Sequence, residues 1–275
     1  MARRLKLLTG LSSIALTGAL ALSACAGGEG EGGASGGEAA AHHGEAEGES
    51  APPLSSGGES EGAALVDVAH DKAAFLSALQ IVRGHLRAGE ELYDSGEREM
   101  GAQHMRHPQA EILTTLAPAF AAYGAVNFEP AIEALASAGE ANEPPAAISA
   151  LHAEAVSEII KAGAAADASV KDRLLAVART LTVAADEYSV AVKDGKIDNL
   201  HEYHDAYGFI TTAIGDLEAM TGAGAAENQA IAAVLEQARI AAAAAPSVTP
   251  PTDGLAPASV IYGAAARIEI AARGL

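Results

Sequence analysis

An all-α fold, an Ala-rich helical bundle of about seven to eight helices over residues 63–275, follows from three features of the chain. Ala dominates, β-branched residues are sparse, Trp is absent and aromatics make up 4% of the residues. Such side chains favour helices and let them pack closely. Apolar residues recur at three- and four-residue intervals, and no run alternates apolar with polar residues as a half-buried strand would.

Residues 1–24 stand apart from that pattern. Arg3, Arg4 and Lys6 form a cationic start, and Leu7 to Leu22 is an apolar run too short and wrongly flanked for a permanent membrane span. It ends in Leu22-Ser23-Ala24-Cys25. Basic region, apolar run and small-small-Cys in that order resemble a bacterial lipoprotein lipobox. The resemblance implies a signal peptide over 1–24, cleavage before Cys25 and acyl chains such as palmitate on that cysteine. It implies a cell-envelope protein anchored to the periplasmic or outer face of a membrane. Ala26 rather than Asp after the cysteine leans toward the outer membrane. Cys25 is the only cysteine, so an intrachain disulfide and a thiolate metal site are both excluded.

Residues 25–62 read as the acylated cysteine and a disordered acidic tether of Gly, Glu, Ser and Ala. They hold too little apolar surface to offset chain entropy, and a flexible chain of that length spans roughly 35 Å. His42-His43 within it reads as a polar linker pair. The whole chain carries a formal charge of −19. The signal segment holds three of the 17 basic residues and none of the 36 acidic ones, so the remainder carries about −22. That balance excludes nucleic acid as a partner and suits attraction of cations.

The helices follow in order. The first, 67–94, has Ala74, Phe75, Ala78, Ile81, Val82 and Leu92 on its apolar stripe with His85 among them, and Ser95-Gly96 breaks it. The second, 97–123, contains Pro108, which disfavours helical geometry at His107 and predicts a kink or a helix junction at His107-Pro108. A short helix over 127–137 precedes a turn at 139–145, a candidate sub-boundary between two packed halves. Helices over 145–166, carrying His152 on its apolar stripe, and 167–193 come next, the latter ended by Asp194-Gly195. Asp198 or Asn199 caps a helix to 221 with Tyr203, Ile210, Ile214 and Leu217 inward. On its other side His201, His204, Gly208, Thr212 and Gly215 form a small-residue strip able to admit a close helix or a ligand. Helices over 228–244 and 258–273 flank a loop with four prolines.

The chemistry on offer is concentrated in Gly101-Ala-Gln-His104-Met-Arg-His107-Pro108-Gln-Ala-Glu111. Met100, His104, His107 and Glu111 share one narrow stripe at about 100° per residue. The core face, Met105, Ile112, Leu116, Phe120 and Tyr123, lies roughly opposite. The stripe is therefore either a solvated face or a set of metal ligands covered by another helix, with His85 the best-placed residue to meet it. His201 and His204 form a second His-x-x-His. Residues three apart share a helix face, so both imidazoles can reach one ion or adjacent ions. Imidazole with carboxylate suits iron, copper or zinc, and the thioether of Met100 leans toward copper. The metal candidates are His85, His104, His107 and Glu111, with Met100, His201, His204 and His152 secondary.

An Ala-rich helical lipoprotein with Gly101-x-x-His104-x-x-His107-x-x-x-Glu111 near its first helices resembles the imelysin-like proteins. Those are two-half helical bundles of the bacterial envelope, linked to iron uptake and marked by Gly-x-His-x-x-Glu. The spacing here departs from that motif, and after His85 it is Ala88 that occupies the Glu position. The resemblance implies metal uptake and transfers only the candidate ligands His85, His104, His107 and Glu111.

Enzyme motifs fail. His201-Glu202-Tyr203-His204 is one residue short of the helical zinc-protease pattern, and neither a Gly-x-Ser-x-Gly elbow nor a phosphate-binding glycine loop occurs. The sequence thus predicts a lipid-anchored envelope protein that binds a transition metal for uptake or delivery to a transporter or chaperone. The alternative is a helical scaffold lipoprotein with scattered, exposed histidines.

Overall fold

The computed structural model describes residues 67–275. The expected signal segment, Cys25, the tether and His42-His43 lie outside them. Among the described residues the chain forms α1 (Lys72–Ser95), α2 (Arg98–Glu111), α3 (Leu113–Tyr123), α4 (Glu129–Glu140), α5 (Pro145–Ala164), α6 (Val170–Ala191), β1 (Val192–Lys193), β2 (Lys196–Ile197), α7 (Leu200–Ala219), α8 (Ala225–Ala242) and α9 (Ser259–Arg273). None of these helices is long and apolar enough to cross a membrane.

Local chemistry sets the ends. The α1 helix begins after Asp71, four residues later than Asp67. The Asp71 carboxylate accepts from the Ala73 and Ala74 amides at 2.9 and 3.1 Å, satisfying two orphan donors of the first turn. Its second oxygen takes the Arg179 guanidinium at 2.6 Å, which ties the cap to α6. At the other end Gly96 adopts φ 103°, a left-handed cap open to glycine. Ser169 and Asp172 form a reciprocal capping box at the start of α6, and the Asn199 side chain caps α7 through the His201 amide.

Two expectations are corrected here. The helix does not part at His107-Pro108: α2 runs through Pro108 to Glu111, and the break falls at Ile112, with φ −117° and ψ −43°. Proline removes one amide donor, yet the Ile112 amide still reaches the Pro108 carbonyl at 3.0 Å, so the turn after it closes. Asp194-Gly195 does more than end a helix. Both residues have positive φ, 51° and 73°, and they join β1 to β2 in an antiparallel hairpin pairing Val192 with Ile197 and Lys193 with Lys196. Positive φ at both central residues is the geometry of a type I′ hairpin turn, which Asp-Gly favours.

The α1 helix is the hub. It packs against α2 and α5 in one direction and against α6 and α7 in the other, while α8 and α9 complete a layer on α6 and α7. Its expected stripe residues Ala74, Phe75, Ala78, Ile81, Val82 and Leu92 are all buried. At two crossings α1 comes within backbone contact of its neighbours. A Cβ on Gly208 of α7 would sit 2.2 Å from the Gly84 carbonyl oxygen, and one on Gly101 of α2 would sit 2.6 Å from the Gly89 carbonyl oxygen. Only glycine permits either approach, and together they draw α2 and α7 onto α1 around one point.

Candidate metal centre

That point is occupied by histidines. Gly84 precedes His85, Gly101 lies one turn before His104, and Gly208 lies one turn after Asp205 and His204. The glycine crossings thus aim three helices' polar residues at each other. His85 and His104 are fully buried, and Asp205 and His204 are 2% exposed. His104 was expected on a stripe open either to solvent or to a covering helix; α7 covers it.

Asp205 is the centre of the cluster. Its Oδ1 accepts from His85 Nδ1 at 2.7 Å and from His104 Nδ1 at 2.9 Å. A carboxylate only accepts, so both Nδ1 atoms carry protons toward it and both Nε2 atoms point elsewhere. This carboxylate–imidazole arrangement is the one that orients metal-ligating histidines. Desolvation opposes the charge on Asp205, but His85 and His104 beside it hold its carboxyl well below the usual range. Around this core His104 Nε2 lies 3.3 Å from His204 Nδ1, and His107 Nδ1 lies 3.2 Å from His201 Nε2. The rings of His104 and His201 stack with centroids 3.9 Å apart, and His85 meets His107 edge-on at 5.6 Å.

Burial keeps the outer imidazoles neutral. His201 is pushed down to about 3, first by desolvation and then by the neighbouring His104; His204 is pushed down to about 4 for the same reasons. Neutral imidazole is the ligand form, so no proton has to leave these two rings before an ion binds at neutral pH.

Ligand atoms from His85, His104, His107 and Asp205 all lie within 4.8 Å of one another. Two donors on opposite sides of one ion with bonds of about 2.1 Å stand about 4.2 Å apart, so a contraction of roughly half an ångström at the widest pair encloses an ion. Nitrogens at 3.2 and 3.3 Å also match the edge of a tetrahedron with bonds of about 2.0 Å.

The other candidates fall in different places. Glu111 sits at the rim, its Oε1 3.9 Å from His107 Nδ1, and is not among the four converging groups. His201 and His204, secondary in the sequence, lie against this set, 3.2 Å from His107 and 3.3 Å from His104, but are not among its four converging groups. His152 lies apart: it pairs with Glu90 of α1 at 2.7 Å. Met100 is half-buried at the start of α2 and does not line the cleft beside the cluster. Asp205 was not among the sequence candidates. Its signal was its place directly after His204 and one turn before Gly208, two members of the strip expected to admit a close helix.

A cleft of about 1120 Å³ opens onto the cluster, with His107, His201 and Asp205 among its lining residues. His85, His104 and His204 lie behind them.

Comparison with known proteins bears on this geometry. Residues 163–274 match the family model of the iron permease-associated 4-helix bundle domain. The matched segment contains α6, α7, α8 and α9. It supplies His201, His204 and Asp205, while His85, His104 and His107 come from helices before it. The match is with this iron-linked helical family and not with the imelysin-like proteins. No curated protein and no solved structure matches the chain.

Proposed function

We propose that this protein is a lipid-anchored component of the cell envelope that binds a transition metal ion, iron foremost, and delivers it to a membrane permease. One observation carries the reading: three imidazoles and a carboxylate from three helices converge within 4.8 Å at a buried point. Convergence of this kind is not what a scaffold with scattered, exposed histidines would have. Iron is favoured over copper because the donors are nitrogen and oxygen, without thiolate or the Met100 thioether, and because the description of the matched domain names an iron permease. Anchorage rests on the lipobox-like Leu22-Ser23-Ala24-Cys25, and delivery to a permease rests on the domain match. The role assigned is binding, and it rests on the imidazole and carboxylate donors of the converging groups.

The test is equilibrium dialysis of the full chain, carrying His42→Ala and His43→Ala to remove the tether pair, against Fe(II) under anaerobic conditions, Zn(II) and Cu(II). X-ray absorption should then report imidazole scattering. One tight ion per chain is expected, lost in a His104→Ala/His107→Ala double variant that keeps its helical circular dichroism. Equal binding by the two proteins, or none above background in the parent, would sink the reading.

A further inference from the structure

The geometry points to a second ion position, an entry site at the mouth of the cleft formed by His107, His201 and Glu111, from which a hydrated cation passes to the buried cluster. This rests on the metal-binding reading above and extends it to the route of loading.

The imidazoles divide by depth. His85 and His104 are sealed, whereas His107, His201 and Glu111 are 27%, 21% and 23% exposed at their side chains. An ion arriving from solvent meets the second group first. These residues face one another as a binding position does. His107 Nδ1 and His201 Nε2 are 3.2 Å apart, Glu111 Oε1 is 3.9 Å from that same His107 nitrogen, and Asp205 Oδ2 is 3.9 Å from that same His201 nitrogen. Two nitrogens at that separation accept one ion between them with bonds of about 2.0 Å, and a carboxylate oxygen at each flank completes a mixed set.

The cleft selects the form of the cargo. Its walls carry Glu97, Glu99, Glu111, Glu140 and Glu202, with Asp205 on the floor. The opposing charges are Arg98 and Arg106, and Arg106 is already paired with Glu133 and Glu140 at 2.8 and 2.7 Å. The resulting field concentrates hydrated cations and repels anionic chelates. His107 is common to both positions: it is one of the four converging groups and a member of the outer pair. An ion therefore moves inward by exchanging His201 and Glu111 for His85 and His104 while His107 stays bound.

The full chain with His42→Ala and His43→Ala is mixed with Co(II) in a stopped-flow instrument, with the visible d–d bands as readout. Matching variants carry His201→Ala or Glu111→Gln. An entry site lies on the path in both directions, so removing His201 should slow association and dissociation together by about tenfold or more. The equilibrium affinity of the tight position should stay within a few-fold. Glu111→Gln, which preserves shape, should slow both rates in the same sense. Wild-type rates in both variants overturn the proposal. So does a loss of equilibrium affinity with unchanged association, which would make His201 an ordinary ligand of the single site. Absence of cobalt binding in the parent chain overturns the metal reading itself and this inference with it.

Discussion

Gly208→Ala is the sharpest perturbation the structure offers. A Cβ there lies 2.2 Å from the Gly84 carbonyl oxygen and 3.3 Å from the Ala88 side chain. Ordinary contact begins near 3.4 Å, so α7 must withdraw from α1 by about 1.2 Å at this crossing. Asp205 is one turn away. A shift of that size carries the 2.7 Å contact between His85 Nδ1 and Asp205 Oδ1 beyond hydrogen-bonding range. Overpacking costs about 1–3 kcal/mol, and the lost bond to a charged acceptor about 1.5–3 kcal/mol. The sum is about 2.5–6 kcal/mol, which for a domain of this size lowers the melting temperature by roughly 5–20 °C. Gly215 is the internal control. It lies on the same helix, is exposed, and an added Cβ there meets nothing within 4 Å. Gly215→Ala should leave stability unchanged or raise it by up to about 1 kcal/mol, through helix propensity alone. Thermal melts by circular dichroism in chelator read both variants, and metal titration of Gly208→Ala should show at least a tenfold loss. If Gly208→Ala melts at or above the parent temperature, the tight crossing does not position the cluster.

Other outcomes follow from the same cluster. Asp205→Ala strands two fully buried imidazole N–H groups, at about 1–3 kcal/mol each, so urea unfolding should move by about 2–6 kcal/mol; Asp205→Asn keeps an acceptor oxygen and should retain most stability while losing metal affinity, and the reverse pattern would contradict the orienting role. Metal-free stability should fall with acidity. His201 and His204 titrate near 3 and 4 in the folded chain against 6.5 unfolded, so below 6.5 the unfolded chain binds protons that the native state refuses. Stability is complete above 6.5 and declines as pH drops toward about 4, by about 2 kcal/mol per residue at pH 5. The carboxyls Asp71, Glu90, Glu133, Glu140 and Asp205 are lowered from reference values of 4.5 or less, so the stability they contribute is present at neutral pH and is lost mainly below pH 5, under the range tested. A melting temperature that is flat or rising from pH 7 to pH 5 would rule this out.

Most of the fold was readable because its signals are local. Ala-rich periodic segments, Ser95-Gly96, the turn at 139–145 and Asn199 set helix ends within a few residues of those observed. The hairpin escaped because it is two residues deep, and Asp194-Gly195 also reads as a helix stop. The cluster was readable in kind but not in membership. The stripe of Met100, His104, His107 and Glu111 as a whole faces away from the core face that runs from Met105 to Phe120, and periodicity then assigns it to solvent or to an unknown neighbour. The neighbour is α7, about 100 residues later, which no local pattern names. For the same reason Asp205 read as one acid among many, while Glu111, aligned with His107 in sequence, remained at the rim.

The cluster also has a consequence for assembly of the chain. Asp205 reaches His85 across 120 residues and His104 across 101. On the proposed function, an ion held there would act as a cross-link between the N-terminal helices and the four that match a known domain. Closing so long a loop in the unfolded ensemble costs about 4–5 kcal/mol in chain entropy, so the two segments must dock before the ion is gripped. A chain caught with only one segment folded would present half the donors and hold the metal weakly. Loading would then report completed folding, and cargo would be withheld from any copy whose two parts had not yet met.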